Sequence, residues 1–90
     1  MLVAMKKPKK SLSARDIFSK NLRQARRMKD ISQEDLALRA DFSRTYVSEV
    51  ERGVRNISID KMDLLAQALE VPLKSLVDSE MFSALKSNMK

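Results

Sequence analysis

SQEDLALRADFSRTYVSEVERG, residues 32–53, decides the fold of this chain. With Gln33 counted as position 1, the small residue Ala37 is at position 5 and the turn residue Asp41 at position 9. Two valines follow, Val47 at position 15 and Val50 at position 18. Two short helices that cross steeply need a small side chain where their backbones approach, a turn residue that tolerates positive φ, and inward anchors on the second helix. The spacing therefore predicts two short packed helices joined by a tight turn.

Serines mark the expected starts of helices along the chain. A serine hydroxyl at the N-cap accepts a hydrogen bond from a free amide of the first turn, and the candidates are Ser13, Ser32, Ser43 and Ser58. Apolar residues follow each cap near helical spacing: Ile17, Phe18, Leu22, Ala25 and Met28; Leu36, Ala37 and Ala40; Val47 and Val50; Ile59, Met62, Leu65, Ala66 and Leu69. Expected helix ends lie near Lys29, at Gly53 and before Pro72.

These patterns predict an all-α fold, a compact bundle of about five helices, and three segments of chain. Residues 1–12, with four lysines around a proline, indicate a flexible basic arm. Residues 13–78 form the helical domain, in which 73–77 make a short last turn or helix. Residues 79–90 predict a helical tail whose apolar side can pack on its own domain or against a second copy; that side carries Phe82, Leu85 and Met89.

Positive charge is concentrated at the amino end. The formal net charge is +6; residues 1–30 carry ten Lys/Arg against two Asp, giving +8, whereas residues 31–60 carry four against six, giving −2. A basic field attracts nucleic acid or an anionic membrane surface. It also keeps a small protein soluble, so composition alone leaves these interpretations open.

The residue inventory excludes several functional classes. With no cysteine and no histidine, disulfides, thiolate chemistry, Cys/His zinc sites and imidazole acid–base catalysis are excluded. The carboxylates are scattered, with no nucleophile and base in a recognisable frame, so we expect no enzyme activity, no cofactor and no metal. No apolar run approaches the roughly 20 residues of a membrane span, and a cytoplasmic protein is expected.

Three strings carry a family resemblance: SQEDLA at 32–37, VSEVERG at 47–53 and LAQALEV at 65–71. Through them the chain resembles the Cro and lambda-repressor-like (XRE-type) helix-turn-helix family over roughly residues 15–77. The resemblance implies a DNA-binding transcription regulator with a lambda-repressor-like domain. Asp41 departs from the family, which usually has glycine there. Aspartate tolerates the left-handed conformation better than most residues, so we expect the turn to form at a modest cost.

A closer likeness lies in RTYVS at 44–48 and ERGVRNIS at 51–58. These strings are similar to the recognition helix and following loop of controller proteins of bacterial restriction-modification systems. That resemblance implies a homodimeric switch on its own operator, and it makes Arg55 a second candidate base reader. Similar strings also occur in chromosomal and prophage regulators of the same fold.

The candidate DNA contacts follow from a helix capped by Ser43. Its amino end projects the candidate base readers Arg44, Thr45 and Ser48 together, and arginine can bind guanine O6 and N7 at once. The candidate phosphate and backbone contacts are Gln33, Ser43, Tyr46, Arg52 and Asn56.

Four side chains in this segment have alternative roles. Glu49 would repel phosphate unless it faces a cytosine amino group or pairs with Arg52. Tyr46 could instead be plain packing, with its hydroxyl at the surface. Arg44 and Arg52 could be no more than solvated partners of acidic neighbours.

The expected partners follow from the reach of one recognition helix. It contacts only a few base pairs, so we expect double-stranded DNA bound by a homodimer, with the two helices about 34 Å apart on a near-palindrome. RNA polymerase is a candidate partner of an acidic exposed face; neither a membrane nor a small-molecule effector is indicated. The alternative function is an antitoxin or protein-interaction module of the same fold.

Overall fold

The computed structural model describes residues 12–81, and regular secondary structure in that range is entirely helical. The helices are α1 Ala14–Met28, α2 Gln33–Ala40, α3 Arg44–Glu51, α4 Ile59–Leu69 and α5 Leu73–Leu76. Helix α1 packs on α3, α4 and α5, and α2 packs on α3 and α4. The predicted all-α bundle of five helices is confirmed over this range. Apart from Leu12, the basic arm at 1–12 lies outside the described residues, as do Phe82, Leu85 and Met89 of the tail.

All four predicted serine caps are present. The hydroxyl oxygens of Ser13, Ser32, Ser43 and Ser58 accept a hydrogen bond from the backbone amide three residues later, at 3.1, 3.0, 3.0 and 3.2 Å respectively. A serine cap typically contributes ~1 kcal/mol. The caps therefore give defined starts even to α2 and α3, which are only eight residues long.

Asp41 makes the turn between α2 and α3. It has φ 61° and ψ 43°, in the left-handed region, and the next amide, of Phe42, donates to the carbonyl of Ala37 at 2.9 Å. The small side chain of Ala37 is 3% exposed where α2 packs on its neighbours. The tight turn predicted from the spacing of 33–50 is confirmed.

Three other left-handed residues follow helix ends. Gly53 comes after α3 with φ 75°, and a Cβ there would lie 3.3 Å from Asp16 Oδ1. Asp30 after α1 and Glu70 after α4 have φ values of 57° and 59°. The sequence pattern predicted a helix end at Gly53, but it did not predict the positive φ of Asp30 or Glu70.

The hydrophobic core lies between α1, α3 and α4 and is closed by α2 and α5. Its fully buried large side chains are Phe18, Leu22, Leu36, Val47, Val50, Leu65, Leu69 and Leu76. Met28 and Ile59, which helical spacing placed on the inner faces, are instead 62% and 69% exposed. Met28 lies in the last turn of α1 and Ile59 in the first turn of α4. The helical spacing of apolar residues extends into these turns, but no other helix covers the two side chains.

A buried asparagine attaches the end of α5 to α1. Asn21 is 5% exposed, and its Nδ2 donates to the carbonyl oxygens of Leu76 at 3.1 Å and Asp78 at 2.8 Å. The Leu76 carbonyl lies at the end of a short helix, where carbonyls lack intrahelical partners, and Asp78 lies two residues beyond that helix. Asn21 therefore holds residues 76–78 against α1.

Candidate nucleic-acid interface

Helix α3 has one buried and one exposed face. Val47, Val50 and Glu51 are buried, whereas Arg44 and Thr45 are exposed and Ser48 is half-buried. Because helical residues three and four apart share a side, these three predicted base readers lie on one face. The structure therefore brings Arg44, Thr45 and Ser48 together at the amino end of α3.

A buried ion pair holds α3 against α1. The Arg26 guanidinium donates to Glu51 through Nε to Oε2 at 2.6 Å and through Nη2 to Oε1 at 2.9 Å, and its Nη1 donates to the Ile31 carbonyl at 2.9 Å. The two side chains are 11% and 1% exposed. A bidentate pair of this kind is geometrically specific, so it defines how α3 sits on α1.

The same carboxylate orients Gln33, a predicted phosphate contact. Gln33 is the first residue of α2, and its Nε2 donates to Glu51 Oε1 at 3.0 Å. A primary amide has two N–H donors, so this bond leaves one donor at the amino end of α2, beside the helix dipole that favours an anion.

Sequence reasoning missed Arg26 and Glu51. Glu51 lies four residues after Val47, and Arg26 lies four residues after Leu22, so both occupy inward positions of their helices. A charge at an inward position must be paired when it is buried. Two opposite charges at such positions were the available signal.

Glu49 pairs with Arg55 and not with Arg52, the partner considered as one alternative for it. Arg55 Nη1 lies 3.1 Å from Glu49 Oε1, with side chains 49% and 30% exposed. Arg55 belongs to the loop after α3, which folds back over the exposed side of that helix, whereas Arg52 is its C-cap residue. The loop therefore brings Arg55, the second candidate base reader, to Glu49 of α3.

Tyr46 lies at the centre of a cluster of cations and rings. Its ring centroid is 4.8 Å from that of Phe42, 4.8 Å from Arg55 Cζ and 5.3 Å from Lys61 Nζ. Its hydroxyl oxygen is buried and has no hydrogen-bond partner among the described residues, so the interpretation with a surface hydroxyl is wrong. Burial raises the pKa of Tyr46 above its ordinary value, and the nearby positive charge of Arg55 opposes this shift.

An open cleft of about 520 Å³ lies beside this cluster. Its lining residues are Tyr46, Arg55, Asn56, Ile57, Ser58 and Lys61. Two cations and the amino end of α4, which Ser58 caps, favour an anion there. The cleft gathers three of the predicted contacts, Tyr46, Arg55 and Asn56, and adds Lys61, which sequence reasoning missed.

Arg52 and Ser43 are placed differently from these groups. Arg52 lines a second cleft, of about 190 Å³, together with Lys20 and Arg23 of α1 and the acids Asp16 and Glu51. The structure therefore does not bring Arg52 to the Tyr46 cleft. Ser43 is exposed and accepts the capping bond, which leaves its O–H free to donate.

Two negative findings concern the described residues. Between residues 12 and 81, no group of three or more Asp or Glu side chains is arranged to hold a metal ion. In the same range, no helix is long and apolar enough to cross a membrane.

Comparison with known proteins identifies the fold family. The family model described as helix-turn-helix, HTH_3, matches residues 22–76, more than half of the chain. This chain belongs to the helix-turn-helix family. The match runs from within α1 to the end of α5 and includes every predicted contact from Gln33 to Asn56. Its members are DNA-binding regulators and not enzymes.

Two curated relatives are control proteins. Control protein C.BamHI from Bacillus amyloliquefaciens is 45% identical over 63 residues, which cover 69% of this chain and 78% of that protein. Control protein C.SmaI from Serratia marcescens is 33% identical over 66 residues, which cover 73% and 79%. The likeness to controller proteins expected from residues 44–58 is confirmed.

Solved structures give the same result. The restriction-modification controller protein C.AhdI from Aeromonas hydrophila matches with a TM-score of 0.67 at 40% identity, covering 69% of this chain and 90% of that one. The hypothetical transcription factor NHTF from Neisseria matches with a TM-score of 0.73 at 33% identity, covering 90% and 95%. The chain is thus a helix-turn-helix transcription regulator similar to controller proteins.

Proposed function

We propose that this chain acts as a homodimer that binds a near-palindromic operator and regulates its own promoter, in the manner of a restriction-modification controller protein. The observation that carries the proposal is the exposed, capped amino end of α3, where Arg44, Thr45 and Ser48 share one face. The 45% identity to the control protein C.BamHI supports it.

Arg44 is the principal base reader in this proposal. It is the first residue of α3 and is exposed, and its side chain is planar and always charged. A bidentate contact to guanine O6 and N7 discriminates against other bases by about 1–3 kcal/mol. Thr45 and Ser48 offer hydroxyls to neighbouring bases, and the Thr45 methyl offers an apolar contact to thymine.

The backbone contacts flank this reader on two sides. Gln33 and Ser43 present donors at the amino end of α2 and just before α3, while Asn56 and Lys61 line the cleft beside α4. Tyr46 contributes its ring to that cleft, because its buried hydroxyl cannot donate to a phosphate. Contacts from both sides fix the register of α3 in the groove without reading sequence. Arg52, in its separate cleft with Lys20 and Arg23, is a peripheral phosphate contact.

We propose that the two copies meet through α4, the segment after Val71 and the tail of residues 79–90. Leu64 of α4 and Val77 after α5 are large apolar side chains that are 44% and 46% exposed, and Asn21 holds the chain at Asp78, immediately before the tail. RNA polymerase remains a candidate partner of the dimer on DNA.

The experiment is selection of bound DNA from a random pool by the purified full chain. The expected result is one enriched motif with two-fold symmetry, whose half-sites lie about one helical turn apart. An enriched site without symmetry would contradict the dimer. Enrichment of no sequence, with retention that falls uniformly as salt rises, would contradict sequence-specific binding.

A further inference from the structure

Glu49 is an acid on the exposed side of α3, the side proposed here to face DNA. Its carboxylate accepts from Arg55 Nη1 at 3.1 Å, and the Arg55 guanidinium lies 4.8 Å from the centroid of the Tyr46 ring. The arginine is therefore held at two points, an oxygen at one edge and an aromatic face beneath it.

This arrangement leaves part of the guanidinium free. Arginine has five N–H donors in a fixed plane, and among the described residues Arg55 donates only through Nη1, to Glu49. The edge formed by Nε and Nη2 remains free, and one such edge with two parallel donors is what guanine O6 and N7 require. The ring of Tyr46 fixes the plane of that edge.

We propose that Glu49 is a positioning residue that makes Arg55 selective: it holds the guanidinium with its free edge available to a base and keeps it from the nearest phosphate. The inference rests on the proposed function. On a random sequence, a phosphate that approaches Arg55 also approaches the Glu49 carboxylate and is repelled by its charge. On the operator, Arg55 keeps Glu49 while its free edge binds guanine, so Glu49 opposes non-specific binding more strongly than specific binding.

The experiment compares affinities of the full chain for the selected operator and for a scrambled duplex of the same length, over a range of salt concentrations. Glu49→Gln removes the charge, whereas Glu49→Asp keeps the charge but withdraws it by one methylene from Arg55. Asp30→Asn is the matched control, because Asp30 is exposed in the turn between α1 and α2 and belongs to neither the proposed DNA contacts nor the proposed dimer contact; asparagine also tolerates its positive φ.

We expect Glu49→Gln to bind the scrambled duplex about two- to fivefold more tightly, the range set by the strength of an exposed ion pair. Its salt dependence should steepen by about one unit of slope, because one more phosphate is contacted. The ratio of operator to scrambled affinity falls in both Glu49 variants and stays unchanged in Asp30→Asn. In an Arg55→Ala background, Glu49→Gln leaves the ratio unchanged, because the residue being positioned is gone.

Three results would overturn the inference. One is a ratio that stays at the wild-type value in Glu49→Gln. Another is a ratio that falls in Glu49→Gln but not in Glu49→Asp, since net charge alone would then be responsible. The third is an equal fall with and without Arg55. A wild-type chain that does not distinguish the operator from the scrambled duplex would overturn the proposed function itself.

Discussion

Arg26 and Glu51 form a bidentate ion pair in the interior of the domain, with N–O distances of 2.6 and 2.9 Å. The Glu51 side chain is 1% exposed, and its Oε1 also accepts from Gln33 at 3.0 Å. One buried carboxylate therefore connects α1, the start of α2 and the end of α3. The positions of the recognition helix and of a predicted phosphate contact depend on the same group.

Removing one partner of this pair should destabilise the domain strongly. We expect Glu51→Ala to lower the free energy of unfolding by about 3–5 kcal/mol, because it leaves the Arg26 charge buried without a partner. Urea denaturation followed by far-ultraviolet circular dichroism measures this change.

The double variant Arg26→Met with Glu51→Leu is the control. It leaves no buried charge, so it should recover a large part of the lost stability. If Glu51→Ala costs less than about 1 kcal/mol, the value of an exposed pair, or if the double variant is no more stable than the single one, the pair does not organise the three helices.

Replacing Glu70 with glycine should stabilise the domain. It has φ 59°, a conformation that costs a residue with a Cβ roughly 1–2 kcal/mol, and its negative charge lies at the carboxyl end of α4, where the helix dipole disfavours it. We expect Glu70→Gly to raise the free energy of unfolding by about 1 kcal/mol after the larger entropy of the unfolded chain is counted.

Glu70→Ala separates the two causes, because it removes the charge but keeps the Cβ. We expect it to gain only a few tenths of a kcal/mol. Equal stability of the glycine and alanine variants by urea denaturation would show that the left-handed backbone at Glu70 costs nothing.

Much of the fold could be predicted because its signals are local. A serine cap needs only the hydroxyl and the amide three residues later, and the turn at Asp41 needs one residue that tolerates positive φ. Both kinds of signal are visible in a single sequence. Periodicity fails at Met28 and Ile59, because exposure in a terminal turn depends on which other helix is present to cover it.

The candidate site was only partly predictable. The shared face of Arg44, Thr45 and Ser48 follows from helical geometry alone. The pairing of Glu49 with Arg55 depends on the path of the loop after Gly53, and the approach of Lys61 to Tyr46 depends on how α4 packs. Neither the path of that loop nor the packing of α4 can be predicted from the spacing of residues along the chain.

The pKa of Tyr46 should be higher than that of an ordinary tyrosine. Burial raises its pKa, so the folded state holds the phenolic proton more tightly than the unfolded state. That contribution to stability is present below the unfolded pKa of about 10 and is lost as pH rises through the folded pKa. Tyr46 is the only tyrosine and tryptophan is absent, so phenolate absorbance reports this group alone.

We expect the absorbance midpoint of the folded chain to lie above that of the chain in concentrated urea. Arg55→Ala should move the folded midpoint higher still, because the opposing positive charge is removed. Coincident midpoints for folded and unfolded wild-type chains would mean that the Tyr46 hydroxyl is in contact with water.

Lys61 should contribute to DNA binding without contributing to sequence preference. Lys61 lies in the cleft beside α4, where it would contact a phosphate, so we expect Lys61→Ala to weaken binding to all sequences alike and to lower the salt slope by about one. Equilibrium binding to the operator and to a scrambled duplex measures both quantities. Loss of affinity for the operator alone would instead make Lys61 a sequence reader.

The most direct test of the account is to repeat the selection from a random DNA pool with Arg44→Ala beside the wild type and Lys61→Ala. The account predicts that Arg44→Ala enriches the same two-fold-symmetric site with the preference relaxed at one base pair in each half, while Lys61→Ala enriches the wild-type motif unchanged. If Arg44→Ala selects the wild-type motif with every position intact, the exposed amino end of α3 does not read the sequence, and the central claim is wrong.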